Sequence, residues 1–188
     1  MTARQAKAIR FDDVLANARR LSYGNGDPNS TSGFLVPGYY IFTKKKTSPE
    51  RLFRTVRHAN HEANALDVAS RRVDVATCND RALARLAKFH PDKHAQLKVV
   101  WSSPLIPSSP LVWRADLADP LKARIRSFIL GYAQGEAAKA ERQTLARLEL
   151  GGFRSADNGL LLTVRQLELF KQRSATGADA ALSRAERA

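Results

Sequence analysis

Gly26-Asp27-Pro28-Asn29-Ser30-Thr31-Ser32-Gly33-Phe34-Leu35-Val36-Pro37 is the stretch on which the fold turns. An Asp-Pro-Asn turn is followed by three hydroxyl residues and then by an apolar run. Leu35, Tyr39 and Phe42 fall at i, i+4 and i+7, which predicts a helix starting near Ser30 with those side chains inward. Ser, Thr and Asn at a helix start cap its free backbone N–H groups. Those same N–H groups, at the positive end of the helix dipole, suit an anion. Rotating hydroxyls add donors for tetrahedrally arranged oxygens. Gly33 has no Cβ, so a ligand or another backbone can come close there. Taken alone, the cluster also reads as an ordinary N-cap with spare serines.

Outward from this stretch, 188 residues can bury one good-sized core or two small lobes. With 44% hydrophobic and 26% charged residues, the composition is that of a globular chain. No run approaches the roughly eighteen apolar residues of a membrane helix. Met1-Thr2-Ala3-Arg4-Gln5-Ala6-Lys7 is charged and lacks the apolar core of a secretory signal, so no signal peptide of the chain's own is expected. The single cysteine, Cys78, rules out an internal disulfide. A net charge of +13 calls for an anionic partner, and nucleic acid is the obvious rival. The dense basic groups are Arg19-Arg20, Lys44-Lys45-Lys46 and Arg71-Arg72, and none is interleaved with aromatics as strand stacking requires.

In chain order, Phe11 to Leu21 reads as a short helix with Val14, Leu15 and Ala18 inward, and Leu21-Ser22-Tyr23 as a brief strand. Strand, Gly-rich turn and helix start in that order is how open α/β sheets present anion sites. Pro37 is expected to kink the following helix, and Lys44-Lys45-Lys46 to mark its exposed end. Thr47-Ser48-Pro49-Glu50 reads as a capping box, and the chain turns extended at Arg54–Arg57. Asn60-His61-Glu62-Ala63-Asn64 opens another helix, with Ala65, Leu66 and Ala69 inward. Val73–Thr77 reads as a buried strand, and Asn79-Asp80 as the cap of a helix that His90-Pro91 breaks after Phe89. Val99–Trp101 and Leu111–Arg114 read as strands. The proline-rich Ser103–Pro110 between them is an extended connector. Asp119-Pro120 is expected to cap a helix with Leu121, Ile125, Phe128, Ile129 and Tyr132 in one stripe. A further helix is expected over about Glu136 to Leu148, ended by Gly151-Gly152. Thr163 is expected to cap a last helix with Val164, Leu167 and Phe170 inward. The tail from Ser174 reads as frayed helix or disorder.

Asp27–Pro37 resembles the signature of the phosphonate-binding subunit of ABC importers. The likeness continues in order through Asn60–Leu66, Val73–Thr77, Ser103–Pro107, Pro110–Arg114 and Arg165–Lys171. It implies an α/β fold, periplasmic-binding-protein-like (type II), with a sheet flanked by helices. It further implies an opening helix and linker over residues 1–20, a second lobe with the anion site over 21–105, a returning part of the first lobe over 106–173 and a polar tail over 174–188. The leading part of the first lobe would be absent. The stretch Ser103–Pro110 would cross between lobes and help form the hinge. Ser30, Thr31, Ser32 and His61 would hold the oxygens of a phosphonate or related anion such as phosphite. Relatives that accept aminoalkyl phosphonates tend to carry acids where this chain has Arg81 and Ser109, with Asp80 adjacent. The implied ligand tail is therefore not aminoalkyl. The implied partners are an ABC permease in the inner membrane and, through the incomplete lobe, a missing fragment or a second copy. The implied location is the periplasm.

Other chemistries are less well supported by the residues. His58, His61 and Glu62 lack the second histidine of the zinc-protease pattern, since Ala65 stands in its place. His90 and His94 are interrupted by Pro91, and no metal or cofactor is expected. No Ser lies in a Gly-x-Ser-x-Gly elbow, and nothing activates Cys78. The expectation is a solute-binding component and not an enzyme. The alternatives are a basic nucleic-acid-associated protein and, more remotely, a phosphate-ester enzyme using the same anion site. Trp101, Trp113 and Tyr132 are expected in core or hinge packing.

Overall fold

Helix α1 (Phe11–Ala16) and one 3₁₀ turn (Ala18–Arg20) lead into strand β1 (Ser22–Asn25), which is buried at every position. In the computed structural model, which describes residues 10–43, 45–136 and 138–172, β1 is the centre of a parallel sheet. Strand β2 (Thr55–His58) pairs on one edge, from Ser22 with Thr55 to Asn25 with His58. Strand β3 (Val75–Ala76) pairs on the other, Tyr23 with Val75 and Gly24 with Ala76. A parallel central strand has both edges paired and both faces covered, so none of Ser22–Asn25 is left to water. The expected strand at Val73–Thr77 is thus hydrogen-bonded as strand only at its middle.

Each strand runs into a helix. After β1 comes a helical run over residues 31–43, built of widened π-type turns at Thr31–Leu35 and Gly38–Thr43. Pro37 is buried inside this run. The widened turns on either side accommodate a residue that has no N–H and whose ring crowds the carbonyl four residues back. The wider winding also turns the expected stripe: Leu35 and Phe42 enter different apolar clusters, and Tyr39 is half-buried.

Helix α2 (Pro49–Leu52) precedes β2, α3 (His61–Ala69) joins β2 to β3, and α4 (Asp80–Phe89) and α5 (Pro91–His94) follow β3. Asn60 and Asn79 cap α3 and α4, accepting from Ala63 N and Ala82 N at 2.8 Å each. On α2 the cap is Ser48, which accepts from Arg51 N at 3.4 Å, and not a box closed by Thr47 and Glu50. With Pro49 as the first helical residue, Ser48 is the position left for the cap.

The core beside the sheet is Val14, Ala18, Tyr23, Ile41, Phe42 and Phe53, with Tyr23 stacked on Phe53 at 4.6 Å between ring centroids. Burying each of the large side chains contributes about 1.5–3 kcal/mol. Val100 and Trp101 pack against this cluster without pairing as a strand. Their β-type residues reflect burial and not a ladder. Residues 162–172 are helical, and Leu167 packs with Leu35 and Val36. A 3₁₀ turn (Asn158–Leu161) capped by Asp157 precedes this helix, so Thr163 lies within it and is not its cap.

The chain divides into two compact units, one of residues up to Ile106 together with those from Thr163, the other Pro107–Leu162. The second unit holds α6 (Asp119–Gly131) and α7 (Lys139–Arg147). Asp119 is the first residue of α6 and not its cap. The expected α6 stripe is not buried: Leu121 is 43% and Phe128 65% exposed. Trp113 is exposed as well, and Leu111–Arg114 forms no strand. Helix α7 ends at Arg147, and Glu149, two residues before Gly151-Gly152, takes the left-handed conformation (φ 56°). Residues 1–9, Lys44 of the basic run, Ala137 within the helix expected from Glu136, and the tail from Ser174 lie outside the described residues.

Candidate anion-binding site

The C-terminal ends of β1, β2 and β3 deliver the chain to three helix starts, at Thr31, His61 and Asp80. Outside the strand ends of a parallel sheet is where α/β folds bind ligands, and helix starts there aim N–H groups outward.

The turn after β1 is held by its own side chains. Asp27 Oδ1 accepts from Asn29 N at 2.8 Å, and Asp27 O from Ser30 N at 2.8 Å. Ser30 caps the helical run, its Oγ accepting Gly33 N–H at 3.0 Å. Among the described residues, the Thr31 and Ser32 N–H groups bond no backbone carbonyl. Pro37 has no N–H to return to the Gly33 carbonyl four residues before it. That carbonyl accepts Gly26 N–H at 3.0 Å and closes the loop. The closure is tight enough to exclude a side chain, since a Cβ on Gly26 would lie 2.5 Å from Gly33 C.

Ser32 Oγ lies 3.0 Å from His61 Nε2, so two of the predicted residues, from different strand ends, are in direct contact. A Cβ on Gly33 would meet both His61 Cε1 and Ser30 Oγ at 3.0 Å, which places Ser30 at the same point. Ser30, Thr31, Ser32 and His61 are all half-buried. Burial holds the His61 pKa below the ordinary histidine value. Its Nδ1 is buried with no partner, and a second proton there would be an unsatisfied charged donor. The ring is therefore neutral at physiological pH. With Nε2–H donating to Ser32 Oγ, the Ser32 hydroxyl proton is free to point elsewhere.

Asp80 and Arg81 are exposed in the first turn of α4, where Asp80 Oδ1 accepts Arg81 N–H at 2.9 Å. Ser109 is exposed and belongs to the other compact unit. Burial pushes the Cys78 thiol up to about 11, and its Sγ donates to His61 O at 3.5 Å. That is an inert thiol at neutral pH. Among the described residues, no group of three His, Cys, Asp or Glu is arranged for a metal.

Several supporting residues are not found by reading the sequence. His58 Nδ1–H donates to Gly26 O at 2.8 Å. Lys171 Nζ donates to Pro28 O at 3.2 Å across 143 positions of sequence, and lies over the Phe34 ring. No local pattern signals contacts of such range. Asn64 reaches three carbonyls at the strand ends. Its spacing of three from His61, hence the same helical face, is a signal that could have found it.

Hydroxyls at a helix start beyond the strand ends of a parallel sheet place this chain among the α/β folds, many of which bind anions at such a point. Residues 1–160 match the family described as "ABC transporter, phosphonate, periplasmic substrate-binding protein", and the chain belongs to that family. It is 48% identical over 162 residues to the phosphonates-binding periplasmic protein of Escherichia coli (strain K12), covering 86% of this chain and 47% of that one. A solved binding protein component of an ABC phosphonate transporter from Pseudomonas aeruginosa is 48% identical, with a TM-score of 0.78 over 89% of this chain and 55% of that one. The chain thus spans about half the length of these relatives. Membership supports the α/β, periplasmic-binding-protein-like expectation and favours solute binding over nucleic-acid association. No helix among the described residues is long and apolar enough to cross a membrane.

Proposed function

We propose that this chain is a solute-binding component, or a large fragment of one, that captures a phosphonate or related phosphorus oxyanion such as phosphite in the periplasm for an ABC permease of the inner membrane. The observation that carries the reading is the contact of Ser32 Oγ with His61 Nε2 beside the unspent Thr31 and Ser32 N–H groups. The N–H groups and the hydroxyls of Ser30, Thr31 and Ser32 donate to the anion's oxygens. His61 acts through Ser32: its single neutral N–H, on Nε2, donates to Ser32 Oγ and leaves that hydroxyl's proton to turn toward the anion. No bond is made or broken; the protein binds, closes and delivers. In this reading residues 21–105 are the lobe with the anion site, and 106–173 the returning part of its neighbour. Arg81 and Ser109 supply no carboxylate for a ligand ammonium and so disfavour an aminoalkyl tail; the adjacent Asp80 is the acid that such a tail would have to use instead.

Titration of the ¹⁵N-labelled chain with methylphosphonate, phosphite and 2-aminoethylphosphonate tests this reading. Methylphosphonate and phosphite should shift the Ser30–Gly33 amide signals, and Ser32→Ala should weaken the response about tenfold or more, the loss of roughly one charge-assisted hydrogen bond. An unshifted Ser30–Gly33 segment would refute the site. Preference for 2-aminoethylphosphonate would refute the assignment of the ligand tail.

A further inference from the structure

The buried polar side chains among the described residues are Ser22, Asn25 and Asn64. Two of them begin and end the strand that leads to the site, and the third lies on the helix that carries His61. Asn64 is 1% exposed. Its Nδ2 lies 3.3 Å from Gly24 O, 3.1 Å from Asn25 O and 3.1 Å from Thr77 O. Gly24 and Asn25 end β1, and Thr77 directly follows β3. Two N–H hydrogens are thus shared among three carbonyls, and a shift of the amide in any direction lengthens at least one contact.

We propose that Asn64 is the positioning residue of the anion site, fixing α3 on the strand ends so that His61 Nε2 meets Ser32 Oγ. The proposal rests on the reading of Ser30, Thr31, Ser32 and His61 as the anion site. His61 and Asn64 are three residues apart on one face of α3. A rotation or slide of α3 that breaks the amide contacts carries the imidazole with it. The Ser32–His61 separation is already 3.0 Å, and a displacement of about half an ångström takes it out of useful range.

Gly24 supports the assignment. A glycine weakens a central strand, yet here a Cβ would stand 2.7 Å from Asn64 Oδ1 and 2.8 Å from the Ala76 Cβ. The absent side chain is the space that the amide approaches. Asn25 O also accepts Ala59 N–H at 3.1 Å. Asn64 therefore shares an acceptor with the peptide that leads into α3, and the two bonds fix both the start and the first turn of the helix.

The full chain without ligand provides the test, through the ¹⁵N signals of the His61 ring and their pH titration. In the wild type His61 should titrate below an ordinary histidine, with a single dominant tautomer. In Asn64→Ala the ring should move toward an ordinary titration and a tautomer mixture, while the β1 and β2 amide signals keep their dispersion. Asn64→Asp has nearly the same volume but offers oxygens to three carbonyls, so it should perturb His61 more than alanine does. A space-filling role predicts the reverse order. An unchanged His61 signature in Asn64→Ala, or a wild-type signature in Asn64→Asp, would overturn the proposal. Fast-exchanging Asn64 side-chain amide protons in the wild type would overturn it without any variant. A methylphosphonate titration adds a second arm, in which Asn64→Ala should bind roughly tenfold more weakly than wild type. If methylphosphonate shifts nothing in the wild type, the phosphonate reading fails, and the ligand-free His61 signals still decide the role of Asn64.

Discussion

The unit built on β1 and the unit Pro107–Leu162 make opposite use of apolar sequence. In the first, residues from α1, β1, the helical run and the segment after α2 meet in one cluster around Tyr23 and Phe42. In the second, Leu145 is the one buried hydrophobic among the described residues, while Leu111, Val112, Leu121, Phe128, Leu148 and Leu160 are exposed. Both units carry helices with apolar stripes. Among the described residues only the first has a sheet, and a sheet offers two broad faces on which such stripes can be buried. The lesson is that an amphipathic stripe specifies what a helix would bury, and its partner decides whether it is buried.

A pair of aromatic substitutions, one buried and one exposed, gives the sharpest challenge to this contrast. Phe42→Ala removes a ring packed edge-on against Tyr23 and Phe53 and should cost about 3–5 kcal/mol. Phe128→Ala should stay within about 0.5 kcal/mol, as for an exposed site. Urea midpoints measure both, and comparable losses would abolish the distinction between the units.

A glycine pair probes the same contrast at smaller amplitude. Gly26→Ala forces the loop away from Gly33 and should cost about 1–3 kcal/mol, as overpacking does. At Gly131 a Cβ meets nothing within 4 Å, and Gly131→Ala should be neutral or gain about 0.4–1 kcal/mol. Thermal melts of the two variants should move in opposite directions or differ clearly in size.

The subtlest comparison is acid sensitivity. Asp74 Oδ2 accepts from Ser22 Oγ at 2.6 Å and Ser22 N at 2.7 Å, and these bonds, with Arg54 nearby, hold its pKa below the usual carboxylate value. The unfolded chain therefore binds the proton more readily than the folded one. The stabilisation is present above the ordinary carboxylate pKa and is lost as pH falls through the depressed folded value. Because the side chain is 45% exposed, solvent screening keeps the effect modest. Asp74→Asn should flatten the acid limb of the urea midpoint measured against pH. An unchanged limb would show that the Ser22 bonds do not couple β1 to β3 energetically.

Much of the sheet-bearing unit was legible locally. Asn60 and Asn79 announce α3 and α4 because a cap acts within three residues of itself, and Ser30 announces the helical run for the same reason. Where the readings missed, the cause lay beyond the local pattern. Val99–Trp101 and Leu111–Arg114 have the residues of strands, but a strand exists only if another edge is available to pair. Pro37 was expected to kink a helix, and neighbouring widened turns absorb it instead. The hydroxyl row and His61 were readable as candidates. Asn64, His58 and Lys171 were not read: each bonds a distant backbone carbonyl, and of the three Asn64 alone carries a local signal, its spacing of three from His61.

The sequence alone determined the turn, the caps at Ser30, Asn60 and Asn79, the row of alcohols and the family, because each rests on residue identity and short spacing. Tertiary structure alone decided that Ser32 meets His61, that Gly33 O closes on Gly26, and that no residue of the α6 stripe is fully buried. These depend on which surfaces the chain brings together, and the energy of a contact exists only once both partners have arrived.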